Sequence, residues 1–199
     1  MRTVAFHTLG CKVNQYDSQA MLEIFERAGY TLRDFNERAD VYVVNTCTVT
    51  GTGDKKSLQA VRRALRLNPA ADVVIAGCLA QRDGEKLLST GARLVIGNAR
   101  RAEVVRLLED AIEKGERVAA VSDVLRVPYE PLFISQHEGH TRAVLKIQEG
   151  CDRYCTYCII PYVRGGIRSR APEAIAAEAK RLAAAGFSEL VLTGIHLTS

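Results

Sequence analysis

The amino-acid sequence predicts an α/β protein, with a parallel sheet of the Rossmann or flavodoxin type first and the beginning of a second α/β unit after it. Three observations predict this. Short β-branched runs alternate with stretches of helical period from residue 1 to about 115, and residues 116–140 then break the rhythm with Pro128, Pro131 and Gly139. A fresh succession of strand, loop, helix and strand starts at Ala143. The expected organisation is a first domain over 1–117, a linker over 118–140 and an incomplete second domain over 141–199.

The strands of the first domain read as Val4-Ala5-Phe6, Val41 to Val44, Val73 to Ala76 and Leu94 to Ile96, each apolar on both faces as central parallel strands are. Between them Met21, Leu22, Phe25 and Ala28 recur at helical spacing, as do Leu58, Val61 and Leu65, and then Val104, Leu108, Ala111 and Ile112. The linker has room for one extra strand around Val118 to Val121. Ala143 to Ile147 opens the second unit as a strand. After a Cys- and Arg-rich loop, a helix begins at Pro172, carries Ile175, Ala179 and Leu182, and is closed by Gly186 before the strand Leu190 to Leu192. One such unit cannot cover its own sheet faces, so it reads as incomplete.

The 199 residues carry a net charge of +4, with 47% hydrophobic and 25% charged residues. This composition excludes a disordered or low-complexity chain. The cleanest apolar run, Val73 to Ala80, is far too short to span a bilayer. No apolar leader follows Met1, so a reducing cytoplasm and no membrane association are expected. The six cysteines, at 11, 47, 78, 151, 155 and 158, are then candidates for metal ligation or thiol chemistry rather than for disulfides.

Cys151, Cys155 and Cys158 form a C-x3-C-x2-C cluster directly after a predicted strand. Three thiolates so close together can wrap one inorganic centre, with chance clustering of core cysteines as the alternative, and thiolates favour iron–sulfur clusters or zinc. A structural zinc wants a fourth protein ligand, yet His196 is the only histidine after Cys158. A loop that leaves one position empty suits a cluster that binds something exogenous. Cys11, Cys47 and Cys78 each sit just past the end of a predicted strand, at the edge where open parallel sheets bind ligands. They either converge as a second ligand set or are small buried hydrophobes. Lys55, Arg62 and Arg66 share one face of the second helix, with Lys56 and Arg63 beside it, which is most often a solvated face. Arg164, Arg168 and Arg170 follow the cysteine loop and would meet substrate phosphates or a cofactor carboxylate, or brace the loop. His7, His137, His140 and His196 are isolated and read as structural or surface residues.

The run from Gly150 through Cys158 to Pro161, Arg164 and Gly165, with Tyr157 just before the last cysteine, resembles the radical S-adenosylmethionine enzymes and, in its longer context, the methylthiotransferases. Thr8 to Ser18, Asn45 to Thr50 and Ala76 to Gln81 are similar to that family's amino-terminal domain. The resemblance implies two 4Fe-4S clusters. Cys151, Cys155 and Cys158 would hold the one that cleaves S-adenosylmethionine to a radical, at the start of a partial β/α barrel, and Cys11, Cys47 and Cys78 an auxiliary one that carries sulfur. It also places Tyr157 against the adenine and Gly194 near the methionine end, although Thr193-Gly194-Ile195 stands where many radical enzymes have Gly-Gly-Glu. A tRNA substrate follows, bound more weakly as salt rises, with a reducing electron donor such as flavodoxin or ferredoxin. The wording resembles most closely the branch acting on N6-threonylcarbamoyladenosine in tRNA, with the isopentenyladenosine and ribosomal-protein aspartate branches as near competitors. Family members carry a longer barrel and an RNA-binding domain that do not fit after Cys158, so the chain is expected to be a fragment, inactive alone. A non-catalytic iron–sulfur module and an RNA-binding scaffold are the readings from other classes.

Overall fold

The apolar runs of the first 120 residues do what their two-sided character requires and stack as a fully parallel sheet. In the computed structural model, which describes residues 1–136 and 141–198, the strands are β1 (Thr3–Thr8), β2 (Thr31–Arg33), β3 (Val41–Thr46), β4 (Asp72–Gly77), β5 (Leu94–Ile96) and β6 (Val118–Ala120). Their order is β2-β1-β3-β4-β5-β6. β1 pairs with β3 from Val4 opposite Val41 to Thr8 opposite Asn45, and β3 with β4 from Val41 opposite Asp72 to Thr46 opposite Gly77. Every residue of β3 is buried.

Helices cover both faces, as expected. α1 (Lys12–Arg27) and α4 (Val104–Glu113) pack Met21, Phe25 and Leu108 against Val4, Val43 and Val74. On the other face α2 (Gly51–Leu67) and α3 (Cys78–Asp83) pack Ala60, Val61 and Leu79 against Val44 and Ile75. The buried stripe of α2 is Ser57, Ala60, Val61 and Ala64, while the expected Leu58 and Leu65 are half-buried shoulders. Small side chains let the helix lie close on the sheet, and the leucines fill its margins.

Two strands depart from the sequence reading. β2 was not anticipated, because only Leu32 of its three residues is apolar; it is an edge strand beside β1, entered by a hydrogen bond from Thr31 N to Arg2 O of 3.0 Å. β6, expected inside a linker, is the opposite edge of the same sheet and pairs Val118 with Leu94. The first sheet thus extends to 120, past the expected boundary at 117. The segment after it is packed rather than free. Val124, Leu132 and Ile134 are buried, and the Glu130 carboxylate accepts from Arg101 Nε and Ala102 N at 2.8 Å each. His137 and His140 lie outside the described residues.

In the last part, β7 (Ala143–Lys146) pairs in parallel with β10 (Leu190–Thr193), and α6 (Pro172–Ala184) connects back between them. Gln148–Glu149 (β8) and Arg168–Ser169 (β9) form a short antiparallel pair, with α5 (Ile160–Arg164) between. The small sheet finds its cover on α1: Tyr16 and Ala20 pack with Leu132, Ile134, Ala143, Leu145 and Leu182. α1 is therefore enclosed from two sides, which explains why Asn14, Asp17, Gln19 and Glu23 are buried along with its apolar residues.

Candidate metal centres

The first three cysteines sit where adjacent strands end. Cys11 caps the amino end of α1 after β1, Cys47 directly follows β3, and Cys78 directly follows β4 as the first residue of α3. β1 and β3 are neighbours from which the chain departs to opposite sides, the point at which open α/β sheets take ligands. The approach is tight. A Cβ at Gly10 would stand 3.1 Å from Cys47 Sγ. Gly77 holds φ +90, and a Cβ there would lie 2.6 Å from the Thr46 carbonyl, so only glycine turns β4 into Cys78. The Thr46 hydroxyl donates to Ala76 O at 2.5 Å and accepts from Leu79 N at 3.2 Å, fixing the same turn.

Cys78 is only 3% exposed, whereas Cys11 is exposed and Cys47 intermediate. Burial pushes the Cys78 thiol up, and the Arg164 guanidinium beside it draws it back down. Asn98 Nδ2 lies 3.7 Å from Cys78 Sγ and donates to Val163 O at 2.8 Å. Two polar atoms here are buried without a hydrogen-bond partner, Asn98 Oδ1 and Arg164 Nε. An orphaned guanidinium N–H beside a thiol is a donor that lacks an acceptor, and a sulfur-rich anionic group would satisfy it.

The second set occupies an irregular loop. Cys151 N donates to Gly165 O at 3.0 Å and Cys158 N to Cys155 O at 2.9 Å, while Asp152 Oδ1 accepts from Ile167 N at 3.1 Å, so the loop is tied at both ends. Gly150, at φ +79, lies so close to Gly166 O that no side chain fits. Cys155 is exposed and Tyr157 is 91% exposed, leaving its ring face free. Gly194 packs against Gln148, whose Oε1 accepts from Ile195 N at 2.8 Å and His196 N at 3.0 Å. α3, which begins at Cys78, packs against α5, which begins just after Cys158. Cys78 is thereby placed beside the Val163 and Arg164 end of the helix that follows the second cysteine set.

The three arginines after the loop are spent inside the protein. Arg164 is fully buried; it bonds Glu149 and Asn14 and lies 3.4 Å from Asp17 Oδ2. Arg170 is buried against Glu178, whose carboxylate also takes Ile134 N at 2.9 Å and the Tyr16 hydroxyl at 2.9 Å. Arg168 donates to Val127 O at 3.1 Å and Arg164 O at 2.5 Å. Of the two roles the sequence left open for them, these contacts are those of bracing. Their partners come from several elements: α1 and β8 for Arg164, the segment after β6 for Arg168, and α6 for Arg170. Arg164 belongs to a buried network in which Asp17 and Glu149 meet Arg101, Lys146 and Arg164, with Lys146 Nζ 2.5 Å from Asp17 Oδ1. Nothing in the local sequence marks this network.

All six cysteines are free thiols. Among the described residues no three His, Cys, Asp or Glu side chains stand close enough to hold one ion. The donor chemistry fits iron–sulfur clusters: three thiols per set, glycines that let the backbone approach, and an unpartnered donor at Cys78. Among the described residues no helix is long and apolar enough to cross a membrane.

Comparison with known proteins agrees with this arrangement. Residues 3–97 match the family described as uncharacterized protein family UPF0004, and residues 145–198 match the radical SAM superfamily. Threonylcarbamoyladenosine tRNA methylthiotransferase MtaB of Bacillus subtilis (strain 168) is 48% identical over 198 residues, covering 98% of this chain and 44% of the relative. Ribosomal protein uS12 methylthiotransferase RimO of Synechococcus sp. (strain WH7803) is 40% identical, covering 96% and 41%. A tRNA-2-methylthio-N(6)-dimethylallyladenosine synthase of Thermotoga petrophila (strain ATCC BAA-488 / DSM 13995 / JCM 10881 / RKU-1) is 36% identical, covering 94% and 42%. The chain spans less than half the length of these curated relatives. Its two matched segments, in that order, and its likeness to methylthiotransferases along nearly all of its length identify it: the chain belongs to the radical S-adenosylmethionine methylthiotransferase family.

Proposed function

We propose that the protein of which this chain is part inserts a methylthio group at C2 of N6-threonylcarbamoyladenosine in tRNA. The observation that carries the reading is the pair of three-cysteine sets, one at a sheet edge and one in the loop before α5, a helix that packs against α3. Cys151, Cys155 and Cys158 would hold one 4Fe-4S cluster and Cys11, Cys47 and Cys78 another. Bound there, the clusters and S-adenosylmethionine would supply the sulfur and the radical chemistry that an unactivated adenine carbon requires. The protein's own groups position them. Tyr157 offers an exposed ring to the cofactor adenine, Gly194 keeps side-chain bulk away from its methionine end, and Arg164 directs an N–H toward the Cys78 sulfur. The expected domains are a cluster domain ending after β6 and the first βα unit of a barrel. A cytoplasmic setting and a reducing donor such as flavodoxin or ferredoxin complete the reading.

The test uses the full-length protein, reconstituted anaerobically with iron and sulfide. It should bind roughly eight irons, and Cys47→Ala should remove one cluster's spectroscopic signal while leaving the other. Supplied with S-adenosylmethionine and strong reductant, it should add the mass of a methylthio group to threonylcarbamoyladenosine-bearing tRNA. Product on dimethylallyladenosine tRNA or on ribosomal protein uS12 instead would move the assignment to a relative's substrate. Iron content unchanged by Cys47→Ala would overturn the two-cluster reading.

A further inference from the structure

Two adjoining cavities open at the carboxyl end of β1. The larger, about 860 Å³, is floored by His7 and Gly10 and walled by α1 and the turn over 33–37. The smaller, about 440 Å³, runs along α2 past Lys56 and Arg66. His7, Phe35 and Arg63 line both and form the passage between them.

The walls have three different chemistries. The His7 and Phe35 rings lie 4.8 Å apart at 35°, so buried Phe35 backs the half-buried imidazole at the base of the passage. Burial, with the Arg63 charge, lowers the His7 pKa, so at neutral pH the imidazole is uncharged and keeps one donor and one acceptor. Along α2, Lys56, Arg63 and Arg66 are exposed, and among the described residues none has a carboxylate partner. Elsewhere on the surface Arg82, Arg93, Arg100 and Arg106 are each held by an acid. The opposite wall carries Asp34, which accepts from Asn36 N at 2.7 Å, and Glu37, 3.8 Å from Arg33.

Unneutralised cations on one side, stacked rings at the base and carboxylates on the other side match the three parts of a ribonucleotide: phosphate, base and ribose hydroxyls. The volume suits one or two nucleotides and their solvent. Gly10 also touches Cys47, so a nucleotide held there lies next to the strand-end cysteines. Resting on the proposed tRNA reading, we infer that these cavities are a subsite for single-stranded RNA. One unpaired nucleotide beside the modified one stacks on the His7 ring that Phe35 backs, and its flanking phosphates lie on Lys56, Arg63 and Arg66. The cationic face of α2 thus acquires a role that its sequence pattern alone does not assign.

The experiment measures binding of a fluorescein-labelled anticodon stem-loop RNA to the full-length, cluster-loaded protein over a salt series. The double variant Arg63→Ala, Arg66→Ala should bind about tenfold more weakly near 0.15 M salt, with a log–log salt slope shallower by about 1.4, two single-strand phosphate contacts' worth. His7→Ala should bind about fivefold more weakly with the slope unchanged, because stacking releases no counterions. Lys114→Ala, Arg117→Ala, at exposed positions beyond α4, should bind as wild type. Wild-type affinity and slope in the Arg63, Arg66 variant would overturn the subsite and leave the tRNA reading standing. An equal loss in the Lys114, Arg117 variant would also overturn it, as general charge attraction. A wild-type protein that neither binds the RNA nor modifies tRNA would overturn both. Arg63 and Arg66 are exposed, so their variant folds and carries the test even where His7→Ala does not.

Discussion

The two cysteine sets are built by opposite means. Cys11, Cys47 and Cys78 lie far apart in sequence and share an edge only because β1, β3 and β4 are neighbours in a parallel sheet. Cys151, Cys155 and Cys158 share one short loop and need no sheet to meet. The first set includes a buried thiol flanked by Asn98 and Arg164; the second has Cys155 and Tyr157 open to solvent. A ligand set placed by tertiary structure inherits the rigidity of its core, whereas one placed by local chain keeps the freedom to close around what it binds. On the proposed reading, the division suits one centre held in place and one that admits a cofactor.

Four substitutions would break or sharpen this contrast. The largest effect is expected at Asp17, whose carboxylate meets Arg101, Lys146 and Arg164 at the junction of α1 with the last α/β unit. Asp17→Asn leaves buried cations undercompensated and should cost about 3–5 kcal/mol, read as a lower urea midpoint at unchanged slope. A loss below about 1 kcal/mol would mean the network does not hold the junction. Gly77→Ala forces a side chain into left-handed backbone against Thr46 and should cost about 1–3 kcal/mol. In the reconstituted full-length protein it should leave roughly four irons, those of the loop set; equal loss from both sets would erase the distinction. The smallest effect concerns the thiols themselves without metal. Cys155→Ser should change stability by no more than about 0.5 kcal/mol, while Cys78→Ser, which buries a hydroxyl, should cost about 1–2 kcal/mol by thermal unfolding. Equal costs would show that burial does not separate the sets.

Much of this architecture is legible in the residue pattern, because periodicity reports what a segment buries. β3 and β4 are apolar on both faces and stand where expected at the sheet centre. All six cysteines fall where the strand and loop reading places them, since a strand end is a local property. β2 was not visible, because an edge strand of three residues with one apolar side chain leaves no period to detect. Arg164 and Arg170 read as loop cations for a similar reason: Asp17, Glu149 and Glu178, which neutralise them, come from other elements. The His7 and Phe35 stack joins β1 to the turn after β2, and no spacing within either segment announces it.

The enclosure of α1 has a consequence for how the molecule comes apart. A helix packed by the six-stranded sheet on one side and by β7 and α6 on the other meets solvent only at its ends and along the cavity beside Gln15, Ser18 and Leu22. The amides of its middle turns, held between two layers, belong to a cooperative unit that opens late in the hierarchy of partial openings. The cap of this helix is Cys11. The thiol most exposed in its set thus sits at the open end of a helix whose middle is among the last parts to come apart.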